Sequence, residues 1–249
     1  MQSSRYNIFH AIAAFVVIVF AIKKDFWHTF LHGFSMGTPS PKILLFILIC
    51  QTALFGILAL FLWISTLFPA ARDRALGVEA PPQPVPDRLK AVKTALVAFI
   101  PICLLALGLE WTTTTILEKV FGITLAMQDL VKWLQPDTYA LPVRLALIAF
   151  ILFEAPLLEE PLFRGIIFRG CARSMPVWAA MAVSGFVFAL VHVNAATFLA
   201  LWFLGVAFAW LYRRTGSILA PMTAHFLFNT LNLAMCLIFP ELAGGQAPA

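Results

Sequence analysis

Residues 154–164 read Glu154-Ala-Pro-Leu-Leu-Glu159-Glu160-Pro-Leu-Phe-Arg164, and they place two adjacent carboxylates and a guanidinium inside a long apolar run. An ionised side chain in an apolar membrane segment costs about 2.5–3.5 kcal/mol on insertion scales. Such groups are therefore usually paired and functional. We expect other parts of the chain to supply partners for these charges.

The composition indicates the environment of this run. The 249 residues are 61% hydrophobic and 12% charged, and the mean hydropathy is +0.91, whereas soluble domains carry roughly 25% charged residues. Continuous apolar runs predict transmembrane helices rather than a β-barrel. The net charge of +5 does not indicate a nucleic-acid partner, because basic residues in a membrane protein mainly mark cytoplasmic loops. We therefore expect an integral membrane protein whose partner is the lipid bilayer.

The hydropathy pattern predicts an all-α, polytopic transmembrane bundle of about seven spans, with six to eight allowed, and one or two interfacial helices. The predicted spans are 6–22, 43–70, 91–109, 141–173, 176–193, 196–212 and 217–239. We interpret 25–42 as an interfacial segment and 110–138 as a polar connection. Pro156 and Pro161 are expected to kink the fourth span.

A charged, Pro-rich linker at 71–90 is the one point where the chain could be subdivided. Residues 1–90 are predicted to form N-terminal anchor spans and this linker. Residues 91–249 are predicted to form the core, with its motifs within 142–238, and we expect both parts to belong to one structural domain. The distribution of Lys and Arg favours a cytoplasmic N-terminus and a polar cluster nearer the cytoplasmic side. The expected location is the bacterial inner membrane.

Two further spans carry histidine. One reads Phe188-Ala-Leu-Val-His192, and the other reads His225-Phe-Leu-Phe-Asn229. The i,i+4 spacing puts the outer members of each motif on one helix face. Counting about 1.5 Å per residue from the predicted turns places Glu160 and His192 at similar depth, with His225 shallower by an amount that a tilted or kinked helix could close.

Each feature also has a structural interpretation. Glu160 and Arg164 could form an ion pair that only fixes helix packing. Either histidine alone would more often be a hydrogen-bonded core residue than a catalyst. Glu159 is harder to explain in this way, because the motif offers no second base for a second acid. Together, the acids, histidines and Asn229 favour a functional cluster.

These three motifs resemble those of the CPBP family of intramembrane proteases, also called the Abi or type II CAAX prenyl endopeptidase family. The family pattern is EExxxR, FxxxH and HxxxN on successive spans, and it is matched by Glu159 to Arg164, Phe188 to His192 and His225 to Asn229. The resemblance implies hydrolysis of a peptide bond in a membrane-associated or lipidated protein or peptide. It does not identify the substrate or the oligomeric state.

The resemblance allows two mechanisms. In the favoured one, which needs no cofactor, Glu159 is the general base on a water and His192 helps to hold that water. His225 and Asn229 then donate to the oxyanion, while Arg164 orients Glu160. In the alternative, Glu159, His192 and His225 hold zinc, although the sequence lacks HExxH.

Two other classes of function remain as alternatives. A proton-coupled transporter would also use buried acids and histidines, but the sequence shows no paired halves or inverted repeats. A non-catalytic membrane scaffold or immunity protein could keep the same fold. The complete set of motifs argues against that second alternative.

Overall fold

The computed structural model describes residues 40–41, 87–123, 133–135, 137–192 and 194–239. The regular elements within these ranges are helices, in agreement with the predicted all-α class. The predicted spans at 6–22 and 43–70, and most of the predicted interfacial segment and linker, lie outside the described residues. The number of spans and the division at residue 90 therefore stay predictions.

Helix α1 comprises Arg88–Lys119. It begins where Asp87 caps it, because Oδ1 of Asp87 accepts a hydrogen bond of 3.0 Å from the backbone N–H of Lys90. Its 32 residues extend beyond a hydrocarbon core of about 30 Å. The predicted span at 91–109 is confirmed as part of this helix.

The predicted polar connection from residue 110 is wrong over its first ten residues, because α1 continues through them to Lys119. The threonine side chains explain why. The hydroxyl of Thr112 donates to the carbonyl of Gly108 at 2.7 Å, and that of Thr113 donates to Leu109 at 2.8 Å. These hydroxyls bond back to their own helix, so they do not compete with its backbone ladder.

Helix α2 comprises Leu141–Cys171 and contains two π-helical segments, Phe150–Glu154 and Pro161–Phe168. The prediction that one helix runs through the acidic motif is confirmed, with an end two residues before the predicted one. Pro156 lies just after the first of these segments and Pro161 begins the second. The wider π-helical turn accommodates residues that lack an N–H.

Three more helices follow, each separated by a short turn: α3 is Val177–Val191, α4 is Ala195–Thr215 and α5 is Leu219–Ile238. Their bounds agree with the predicted fifth, sixth and seventh spans within three residues. Gly216 ends α4 with φ of 67°, a left-handed conformation that glycine adopts readily.

The helices pack in two groups that share α4. Buried alanines of α1 pack against α4 and α5, while aromatic residues of α2 and α3 pack against the other side of α4. Helices α3 and α4 cross most closely at Gly185 and Gly205. A Cβ on Gly205 would lie 2.5 Å from Cα of Gly185, so this crossing requires glycine.

Four of these helices, α1, α2, α4 and α5, are long and apolar enough to cross a membrane. Helix α3 has 15 residues, about 22 Å at the usual rise. It is therefore shorter than the hydrocarbon core.

Candidate active site

Helix α2 places the acidic motif between its two π-helical segments. Glu160 is fully buried, and its Oε2 lies 3.1 Å from Nε of Arg164, which is also fully buried. Nη2 of Arg164 donates to the backbone carbonyl of Gly205 at 3.2 Å. The predicted pair of Glu160 and Arg164 is thus present, and it is anchored at the glycine crossing of α3 and α4.

Three aromatic rings surround the guanidinium of Arg164. Its central carbon lies 4.8 Å from the ring centre of Phe188, 5.2 Å from that of Phe208 and 5.7 Å from that of Phe163. Ring faces attract a desolvated cation by about 2 kcal/mol or more. This attraction offsets part of the cost of burying Arg164, whose Nη1 has no hydrogen-bond partner among the described residues.

Helix α5 brings His225 between the two acids. Nδ1 of His225 lies 2.8 Å from Oε1 of Glu160, and Nε2 lies 4.0 Å from Oε2 of Glu159. Because an ionised carboxylate only accepts, Nδ1 carries the proton of the bond to Glu160. The ring also stacks on Phe208, at 5.3 Å between centres and 25° between planes. His225 therefore reaches the depth of the acids, and its orientation is fixed on two sides.

Glu159 is the accessible member of the pair of acids. Its side chain is 23% exposed, while that of Glu160 is fully buried. Oε2 of Glu159 is itself buried and has no hydrogen-bond partner in the described part of the chain. The distance of 4.0 Å to His225 is too long for a hydrogen bond. It is a distance at which one water can contact both groups.

His192 follows the last residue of α3 and caps that helix. Its Nδ1 lies 2.7 Å from the carbonyl oxygen of Phe188, so Nδ1–H donates and Nε2 is left as the acceptor of the neutral ring. The side chain is exposed, and within the described residues no hydrogen bond or ion pair joins it to Glu159. Its nearest aromatic partner is Phe188, at 4.8 Å between ring centres.

Asn229 lies one turn after His225 and bonds to α2. Its Nδ2 donates to the carbonyl of Ile151 at 2.9 Å. In the π-helical turn, the N–H of Ala155 bonds to the carbonyl of Phe150. The next residue, Pro156, has no N–H to offer to Ile151. Asn229 supplies the missing donor, and its second N–H hydrogen remains for another acceptor.

The donor set does not fit a metal ion in this geometry. In the ranges that the structure describes, no group of three His, Cys, Asp or Glu side chains is arranged to hold one. Nδ1 of His225 donates to Glu160, which leaves Nε2 open as it would be in a metal ligand, but among the described residues His192 is not joined to the pair formed by Glu159 and His225. A catalytic zinc site needs three such protein ligands. The metal-free mechanism and the zinc alternative both stay predictions.

The motifs did not reveal three residues that hold the site together. Gly205 accepts from Arg164, Phe208 stacks on His225, and Ser184 donates from its hydroxyl to the carbonyl of Phe163 at 3.0 Å. All three lie on α3 or α4 outside the recognised patterns. Gly185 and Gly205, two glycines in apolar helices, were the available sequence signal for this crossing, because small residues mark close helix crossings in membranes.

Comparison with known proteins gives a family match and a relative. Residues 141–231 match the family described as type II CAAX prenyl endopeptidase Rce1-like. The chain is also 36% identical over 80 residues to a protein of Bacillus subtilis (strain 168) described as "Putative membrane peptidase YdiL". This match covers 32% of the chain and 33% of that relative, about a third of each. No solved structure matches the chain.

The fold and the site together define a helical integral membrane protein with a buried cluster of acids and histidine between its spans. Residues 141–231, which include every predicted member of the cluster, are similar to the Rce1-like, type II CAAX prenyl endopeptidase family. The predicted resemblance to the CPBP family is therefore confirmed.

Proposed function

We propose that the chain is an intramembrane endopeptidase that hydrolyses a peptide bond of a membrane-associated protein or peptide, with Glu159 as the general base. The observation that carries this proposal is the position of His225 between two acids, with Nδ1 2.8 Å from Glu160 and Nε2 4.0 Å from Glu159. One acid is buried and neutralised by Arg164, and the other is accessible. Such a division of tasks is typical of catalytic carboxylates.

The reaction begins with a water bound beside Glu159. Glu159 removes a proton from this water as the oxygen attacks the carbonyl carbon of the substrate. The carbonyl oxygen becomes an oxyanion. When the tetrahedral intermediate collapses, Glu159 returns the proton to the leaving nitrogen and the C–N bond breaks. We assign His192 the supporting task of holding the water through Nε2, the nitrogen that its bond to Phe188 leaves as an acceptor.

The oxyanion is stabilised by donors on α5. A protonated His225 donates from Nε2–H, and the carboxylate of Glu160 on Nδ1 stabilises that protonated ring. Asn229 donates the N–H hydrogen that is not used by Ile151. Each such donor is worth roughly 3–4 kcal/mol in a dry site. Because both donors lie on one helix face, α5 sets their spacing.

The surroundings favour this chemistry within the membrane. Phe188 and Phe208 exclude water from Arg164 and from one face of His225. The exposed fraction of Glu159 leaves that acid on the accessible side. The basic residues near the ends of α2 and α4 favour a site nearer the cytoplasmic face of a bacterial inner membrane. The residues of the described cluster do not indicate whether a substrate carries a lipid anchor, so the substrate class stays at membrane-associated protein or peptide.

The test compares protein termini in membranes of the native host. Cells produce the wild type, Glu159→Gln or Glu110→Gln, which alters a membrane acid of α1 outside the cluster. We expect at least one membrane protein to carry a terminus that needs the wild type or Glu110→Gln, and to accumulate as its precursor with Glu159→Gln. Identical termini in all three strains, with equal amounts of folded protein, would overturn the proposal and favour a transporter or scaffold.

A further inference from the structure

A concave surface lies away from the acidic cluster, between the first half of α1 and the last turns of α4. It is a groove of about 730 Å³ with an open side, lined on α1 by a stripe that includes Lys90, Lys93, Val97 and Pro101, and on α4 by Trp210. The spacing of three or four residues puts the stripe on one face of α1. None of the three motifs contributes to this groove.

The charges of this groove lie at one end. Lys90 and Lys93 are exposed, and among the described residues neither forms an ion pair. Arg213 and Arg214 lie within one turn of Trp210, at the same end of the bundle. Asp87 is the one acid in the lining, and its carboxylate already accepts from the N–H of Lys90. The end is therefore strongly basic.

The remainder of the groove is apolar. Two of its lining side chains are apolar and yet exposed: Val97 is 80% exposed and Trp210 is 43% exposed. A tryptophan near a helix end is typical of the membrane–water interface. Along α1 the groove thus changes from basic at the interface to apolar toward the membrane centre, as an anionic phospholipid does from its phosphate to its acyl chain.

We propose that this groove binds an anionic phospholipid of the bilayer. The phosphate lies between Lys90 and Lys93, and one acyl chain runs along Val97 and Pro101 beside Trp210. Charge complementarity selects this occupant, because basic pockets between transmembrane helices attract anionic headgroups. The apolar part of the groove distinguishes a phospholipid site from a site that binds only an anion. This proposal does not depend on the proposed peptidase activity.

The test measures lipid binding by the full chain. Protein purified in a zwitterionic detergent receives phosphatidylglycerol, phosphatidylcholine or inorganic phosphate, and the shift in unfolding temperature and the bound lipid by native mass spectrometry are recorded. Phosphatidylglycerol is expected to bind and stabilise, and its affinity is expected to fall as salt rises. The double variant K90Q/K93Q is expected to lose about 10- to 30-fold in affinity.

Two further variants separate the parts of the site. Lys119→Gln removes a charge at the other end of α1 and is expected to bind like the wild type. Val97→Trp keeps both lysines but fills the apolar part, so it is expected to weaken lipid binding without altering the response to phosphate. The proposal would be overturned if the two lipids bind equally, if K90Q/K93Q binds phosphatidylglycerol as tightly as the wild type, or if Val97→Trp has no effect.

Discussion

His225 donates from Nδ1 to Oε1 of Glu160 across 2.8 Å and thereby joins α5 to α2 over a separation of 65 residues in the sequence. The same carboxylate faces Arg164 through its other oxygen. Glu160 therefore connects a fixed cation with the histidine of the site. The two adjacent acids therefore differ in their surroundings, since Glu160 is buried in this connection and Glu159 is partly exposed.

Replacing Glu160 by Gln is expected to lower stability as well as activity. Gln cannot balance the charge of Arg164, which is fully buried, and breaking a buried ion pair on one side costs about 3–5 kcal/mol. Glu159→Gln is the matched control. Its side chain is 23% exposed, so we expect a change within about 1 kcal/mol together with loss of activity. Unfolding in one detergent compares the two, and equal stabilities would contradict the assignment.

Replacing Gly205 by Ala is expected to disturb the site from a distance. The added Cβ would meet Cα of Gly185 at 2.5 Å, so α3 and α4 must separate, and the carbonyl that holds Arg164 moves with them. We expect reduced stability and at least tenfold lower activity. Gly108→Ala and Gly165→Ala are the controls, because a Cβ at either position meets nothing within 4 Å. A Gly205→Ala variant as active as these controls would refute the role of the crossing.

Asn229→Ala is expected to remove two separate contributions. The carbonyl of Ile151 loses its donor, which costs about 1–3 kcal/mol for a buried group, and the oxyanion loses an N–H. The lost donor to the carbonyl of Ile151 can be restored without restoring the donor to the oxyanion. Pro156→Ala supplies a backbone N–H that the π-helical turn can direct to Ile151.

The double variant of Asn229→Ala and Pro156→Ala is therefore expected to regain stability but not activity. Denaturant unfolding and cleavage rate, measured on the same preparations, separate the two effects. Recovery of both quantities would show that Asn229 acts only by holding α2. Failure of Asn229→Ala to change stability would show that the bond to Ile151 contributes little.

Metal chelators are expected to leave the cleavage rate unchanged. The described residues contain no group of three side chains arranged as metal ligands. The measurement is the rate after incubation with a membrane-permeant chelator, with and without added zinc. Loss of activity that zinc restores would instead support the zinc alternative with Glu159, His192 and His225.

The sequence predicted the bounds of a helix wherever an apolar run ended at a glycine or proline that favours a turn. Gly216 and the residues around Pro176 delimit α3, α4 and α5 for this reason. It was insufficient beyond residue 109, because threonines that bond to their own helix look like the start of a loop. Polarity alone does not distinguish a hydroxyl that faces water from one that faces a carbonyl.

The candidate cluster was predictable only in part, because the structure brings together Glu159, Glu160, Arg164 and His225 but does not join His192 to them. Spacing paired Glu160 with Arg164 because both lie on one helix face. The contacts of His225 with Phe208, and of Asn229 with Ile151, join different helices. They depend on how closely α3 and α4 cross and on a missing N–H at Pro156, which no periodic pattern encodes. The tasks of Glu159 and His192 in catalysis stay predictions.

The role of Glu159 as general base is tested most directly on a precursor identified by the comparison of termini. Its cleavage by the purified chain and by Glu159→Gln is followed in proteoliposomes, with unfolding of both proteins measured alongside. A general base contributes roughly 100- to 10,000-fold, so Glu159→Gln is predicted to lose at least 100-fold in rate while its unfolding temperature is unchanged. A folded Glu159→Gln variant that cleaves the precursor at the wild-type rate would show that Glu159 is not the general base.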